Sequence, residues 1–164
     1  FYTASRIARN YCFELMCTTA VAEARRDREQ NPNGGVLMFA DSRDDAESMR
    51  KRIEELGAKV GERNLETEVD GTVEVVVTSK GDVSSYNFTR MGVLITGVYA
   101  SNAANRKQMR GRIKRLGQRR DTVTYITVFT AFSVLELLYE RHNNVDLQNL
   151  SLEQLALTFR AGDA

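Results

Sequence analysis

Three arginines, Arg110, Arg112 and Arg115, fall within six positions of one another around Gly111. A guanidinium is a planar fork of donors that can hold two phosphate oxygens at once, so this density points to recognition of an anion rather than to solubility alone. The surroundings reinforce it. From residue 83 to residue 120 there is no Asp or Glu, while Arg90, Arg106, Lys107, Arg110, Arg112, Lys114, Arg115, Arg119 and Arg120 all lie in that span. The formal net charge of the 164 residues is only +1, and the stretch from Asp41 to Asp82 carries twelve acids against seven Lys or Arg. The positive field is therefore local, as a phosphate-facing edge requires.

Elements must hold these groups in place. Met109, Ile113 and Leu116 recur at i, i+4 and i+7, which predicts an amphipathic helix over residues 108–118 with its arginines leaving on other faces. Residues 1–30 read as a helix with Ile7, Tyr11, Leu15, Thr18 and Ala22 as its inward stripe. Pro32, Gly34 and Gly35 end it. Residues 36–40 form a continuous apolar run, the mark of a strand buried on both faces of a parallel sheet. Asp41 or Ser42 can cap the next helix, which turns Ala46, Met49, Ile53 and Leu56 inward and stops at Gly57. A hairpin over residues 65–71, strands at 73–78, 92–98 and 122–129, and a loop at 99–105 follow. A helix at 131–142 and a short one opening on Ser151 to Gln154 close the chain.

Alternating buried strands and amphipathic helices predict an α/β fold, mostly parallel, with helices on both faces. Ligands of such sheets meet the loops at the carboxyl ends of the strands. Three loops fit that description: Ser42 and Arg43, Ser79 and Lys80, and the run that ends at Arg106.

Other polar residues read more plainly. Lys107, Arg119 and Arg120 read as a solvated rim, and Ser42 as a helix cap whose free amides can also bind phosphate. Asp44, Asp45 and Glu47 answer to the helix dipole rather than to a metal. Cys12 and Cys17, the only cysteines, read as buried free thiols. His142 has no visible partner. Lacking a signal-like segment or a run long enough to cross a bilayer, the chain is expected to be part of a larger soluble, intracellular protein without membrane contact.

Gln108-x-x-Gly111-Arg112-x-x-Arg115 resembles the last conserved motif of superfamily-two helicases and ATPases. Leu116-Gly117-Gln118 with Thr122-Val123-Thr124-Tyr125 resembles the continuation in Swi/Snf-type DNA translocases, and the stretch from Thr78 to Thr89 resembles the motif that precedes it. The resemblance runs from about Val36 to Phe129. It departs at Lys114, where the family has His, at Asp82, where it has Gly, and in the run from Tyr99 to Asn105, which replaces an acidic, Trp-containing turn. A divergent or viral member fits that pattern, acting in the nucleus or at a viral replication site.

The resemblance implies a RecA-like lobe, of the P-loop NTPase-like class, over residues 33–130, with helical extensions at 1–32 and 131–164. It implies the second motor lobe of a helicase or translocase, with Arg112 and Arg115 as arginine fingers and Gln108, Gly111, Gly81 and Asp82 on the nucleotide side. Ser42, Arg43, Thr78, Ser79 and Lys80 would touch the nucleic-acid backbone, DNA rather than RNA. The cofactor implied is ATP with Mg2+, bound mainly by an N-terminal RecA-like lobe of the same protein. The chain has neither a Gly-x-x-x-x-Gly-Lys-Ser/Thr phosphate loop nor a strand ending in an acidic pair, so it is not expected to hydrolyse ATP alone. The alternative is a non-catalytic RecA-like module that docks nucleic acid or protein.

Overall fold

A computed structural model describes residues 2–61, 71–79, 88–97, 103–114 and 117–128. Strand β1 (Val36–Ala40) is buried at all five positions. It has strands on both edges: β3 (Val75–Ser79) pairs with it on one side and β4 (Val93–Gly97) on the other, both parallel. The two-residue β2 (Val60–Gly61) and β5 (Thr124–Val128) complete a parallel sheet of order β2-β3-β1-β4-β5. The fold is thus the α/β sheet expected. β2 was not foreseen, and residues 62–70, which include the strand of the expected hairpin, lie outside the described residues.

Because successive side chains in a strand point to opposite faces, the sheet has two cores. Val36, Met38, Ala40, Val75, Val77, Val93 and Ile95 share one cluster with α1 (Tyr2–Gln30) and α2 (Arg43–Glu55). Leu37, Phe39, Val76 and Leu94 share the other with Phe88, Met91, and Met109 and Ile113 of α3 (Ala103–Ile113). One face therefore carries two helices and the other carries the arginine helix.

The limits of α2 follow the sequence closely. Ser42 is its N-cap, accepting a hydrogen bond from the Asp45 amide at 3.1 Å, and Asp44 and Asp45 occupy the first turn. Ala46, Met49 and Ile53 are buried, Leu56 is partly so, and Gly57 turns the chain at a φ of +89° that disfavours any residue with a Cβ. Arg52 ties α2 to α1 through both carboxylate oxygens of Glu14, at 2.9 and 2.7 Å. These contacts hold the Glu14 carboxyl below its ordinary range.

Helix α1 corrects the predicted stripe. Leu15 is 53% and Ile7 49% exposed, and Thr18 and Ala22 also face solvent, whereas Cys12, Met16, Cys17, Ala20, Val21 and Ala24 are buried. Size misled the reading: the seam is made largely of small side chains, which let the helix backbone approach the sheet closely. Neither cysteine is in a disulfide and both are buried, and burial pushes the Cys17 thiol up to about 12.

Helix α3 begins at Ala103, inside the expected loop, and ends at Ile113, five positions before the predicted end at residue 118. Ala103 and Ala104 are strong helix formers and open it early. At the other end Gly117 takes a φ of +101°, and the Gln118 side chain donates to the Ile113 carbonyl at 2.9 Å, which a continuing helix would have used itself. The residues beyond 128, with both expected C-terminal helices and His142, lie outside the described residues. Among the described residues no helix is long and apolar enough to cross a membrane.

The seam of α1 predicts opposite outcomes for two substitutions. Ala20→Leu forces extra volume into a closed interface and should cost about 1–3 kcal/mol. Leu15→Ser should stay within about 0.5 kcal/mol, because it removes an exposed side chain. Urea unfolding of the two variants decides the register; a larger loss for Leu15→Ser would restore the original stripe.

Candidate functional site

The arginine helix is anchored by Met109 and Ile113, 2% and 0% exposed, one turn apart. With about 100° between successive residues, that anchor sends Arg110 and Arg112 out on opposite flanks and leaves Gly111 pointing away from the sheet. The structure follows this geometry. The Arg110 guanidinium lies 4.5 Å above the centre of the Tyr125 ring on β5, a cation–π contact. Burial raises the affinity of the Tyr125 hydroxyl for its proton, and the Arg110 charge opposes this. A Cβ at Gly111 would meet nothing within 4 Å among the described residues. Gln108 is exposed and Arg112 half-buried, and with Gly111 they share the side of α3 turned away from Tyr125. The Arg112 carbonyl accepts the Phe88 amide at 2.7 Å, which joins the end of the upstream motif to the motif helix.

The strand ends converge as expected. Phe39 stands in register with Thr78 and with Thr96, and Ala40 with Ser79, so the carboxyl ends of β1, β3 and β4 lie together at one edge of the sheet. Ser42 and Arg43 are exposed there, at the start of α2. Thr78 and Ser79 are 3% and 4% exposed, and the Thr78 hydroxyl is buried with no hydrogen-bond partner among the described residues. Lys80, Gly81, Asp82 and Arg115 lie outside the described residues.

At the opposite edge, where the strands begin, the structure corrects the solvated-rim reading of Arg120. Lys107 and Arg119 are exposed, but the side chains of Arg120 and Asp27 retain only 11% and 9% of their exposure and form a two-pronged ion pair, Nε to Oδ1 at 3.0 Å and Nη2 to Oδ2 at 2.5 Å. Asp27 also accepts the Gly35 amide at 2.8 Å. Gly34 and Gly92 flank the pair so closely that a Cβ on either would collide with both partners. Two further arginines serve carbonyls: Arg28 reaches those of Gly34 and Gly71, both at 2.9 Å, and Arg90 those of Asn33 at 2.6 Å and Val73 at 3.0 Å. Asp27 was missed because it sits in the charged run Arg25-Arg26-Asp27-Arg28-Glu29, where nothing local marks one acid as buried. The only signal was the pair of glycines that make room for it.

No protein-family profile and no curated protein sequence matches the chain. Its fold does match solved structures, among them the C-terminal part of the Fun30 ATPase domain, with a TM-score of 0.59 and 16% identity over 75% of this chain and 44% of that one. The chain thus spans less than half of that structure's length. At such identity the likeness is one of fold: a parallel α/β sheet arranged as in the RecA-like C-terminal lobe of that ATPase domain.

Proposed function

We propose that this chain is the second motor lobe of an ATP-dependent, nucleic-acid-acting translocase or helicase of the Swi/Snf type. The observation that carries the reading is the side of α3 shared by Gln108, Gly111 and Arg112. Three motif residues of unlike chemistry stand together there, apart from Arg110, which the Tyr125 ring engages. A fold shared with part of an ATPase domain supports it. In this reading Arg112 and Arg115 face the γ-phosphate of ATP held with Mg2+ by a first lobe, and they neutralise charge that grows as the phosphoryl group departs. Gln108, Gly111, Gly81 and Asp82 border the nucleotide. Ser42 and Arg43, Thr78 and Ser79 at the end of β3, and Lys80 next in sequence meet the phosphates of one strand, DNA in the first instance, so binding is indifferent to sequence and sensitive to salt.

An arginine that acts mainly on the transition state lowers kcat more than it weakens binding when it is removed. In a protein that carries a first lobe ahead of this chain, Arg112→Lys and Arg115→Ala should each lower kcat by roughly 10³-fold or more while KM for ATP changes little. Arg119→Ala, at an exposed position, serves as the control and should retain turnover. ATP turnover beside melting temperature is the measurement. Near-normal kcat in both motif variants would remove the finger role.

Gly111 gives a test of opposite signs. A helical glycine with open space above it costs about 0.5–1 kcal/mol relative to Ala, so Gly111→Ala should raise the melting temperature of this chain. The same methyl projects from the side assigned to the nucleotide, and turnover in the two-lobed protein should fall. A stabilised variant with full turnover would show that nothing approaches this face.

A further inference from the structure

Gln118 is the hinge of a set of contacts that runs from the N-terminal helix to the end of the arginine helix. Its amide nitrogen donates to the carbonyl of Ile113, the last residue of α3, at 2.9 Å, and to the carbonyl of Met91, just before β4, at 3.0 Å. Its amide oxygen accepts from Arg120, from the backbone N–H at 3.3 Å and from Nη1 at 3.0 Å. Two acceptors on one side and two donors on the other leave a single orientation for the amide. Arg120 in turn is held by Asp27 in the last turn of α1, across 93 positions of sequence. Both glycines beside the pair are needed for it to close, since side chains at Gly34 or Gly92 would occupy the space of the carboxylate and the guanidinium.

We propose that Asp27, Arg120 and Gln118 form a positioning relay by which α1 fixes where α3 ends, and so sets the direction in which the side bearing Gln108, Gly111 and Arg112 is presented. None of the three touches the proposed nucleotide; Gln118 and Arg120 are positioning residues, and their bearing on turnover rests on the motor-lobe reading. The chemistry demands the neutral amide. A carboxylate of the same shape at position 118 would still accept from Arg120, but it would place oxygen against two carbonyl oxygens and release α3. The relay also explains why the arginine two positions beyond Gln118 is paired and partly buried while its neighbour Arg119 is exposed.

Amide hydrogen exchange on this chain reads the relay without reference to catalysis. In Gln118→Glu, the Lys114 amide, bonded to the Arg110 carbonyl at 3.0 Å, and the Phe88 amide, bonded to the Arg112 carbonyl at 2.7 Å, should exchange about tenfold faster or more. The Ala46 and Leu56 amides at the two ends of α2 should stay within about twofold, since only a local opening is involved. Asp27→Asn, which keeps the shape but leaves Arg120 charged without its carboxylate, should accelerate the same pair of amides by more than any general loss of stability accelerates those of Ala46 and Leu56. Acceleration that is uniform over all four amides, or absent at Lys114 and Phe88, would overturn the relay. In the two-lobed protein Gln118→Glu should lower kcat with little change in KM for ATP. Unchanged kcat there, beside a severe loss in Arg112→Lys, would overturn the positioning role. Localised exchange in Gln118→Glu together with normal turnover in Arg112→Lys would leave the relay standing and remove the finger role of Arg112 instead.

Discussion

A strand with a neighbour on each edge and a helical layer on each face has no polar surroundings, and β1 meets that constraint with Val36, Leu37, Met38, Phe39 and Ala40. Much else follows from it. Because β3 and β4 both run parallel to β1, their carboxyl ends emerge together, and residues far apart in sequence are delivered to one edge without being required to touch. The two faces of β1 also divide the helices. α1 and α2 close one core, and α3 closes the other through Met109 and Ile113, so the arginine helix is held by apolar contacts and its polar sides are left for other purposes.

The arginines show how one residue type is divided among tasks by its surroundings. Arg28 and Arg90 satisfy backbone carbonyls at the amino edge of the sheet, where the loops would otherwise bury unpaired acceptors. Arg110 spends its charge on the Tyr125 ring. Arg120 neutralises a buried carboxylate, and removing either member of such a pair costs about 3–5 kcal/mol because the survivor is left charged and poorly solvated. An acid-free run thus looks like a single basic patch in sequence, yet it contains structural, packing and exposed groups. The arginines assigned to chemistry in the proposal are those on the motif's own spacing.

That division marks what was legible. Continuous apolar runs and helix caps have local physics, and β1, α2, Ser42 and Gly57 were read from neighbours a few positions away. The face of α1 was not, because its burial is decided by how near its backbone approaches the sheet, which favours Cys17, Ala20 and Ala24 over the more hydrophobic Ile7 and Leu15. The end of α3 depends on Gln118, Met91 and Arg120, and Arg120 depends on Asp27; none of these contacts has a periodic signature. Within the candidate site the helix and its anchor at Met109 and Ile113 were visible from spacing, whereas the nucleotide side assigned to Gln108 came from the resemblance alone. The separate engagement of Arg110 was not visible from spacing, since it requires β5 beside α3.

In the proposed reading this chain works on nucleic acid and ATP together with a first lobe. ATP turnover by the two-lobed protein, measured against increasing duplex DNA of unrelated sequences and repeated as salt is raised, tests it most directly. The account predicts turnover that is stimulated to the same degree by each duplex and loses that stimulation steeply with salt, as contacts to backbone phosphates require. Turnover indifferent to nucleic acid, or stimulated by one sequence alone at high salt, would contradict it.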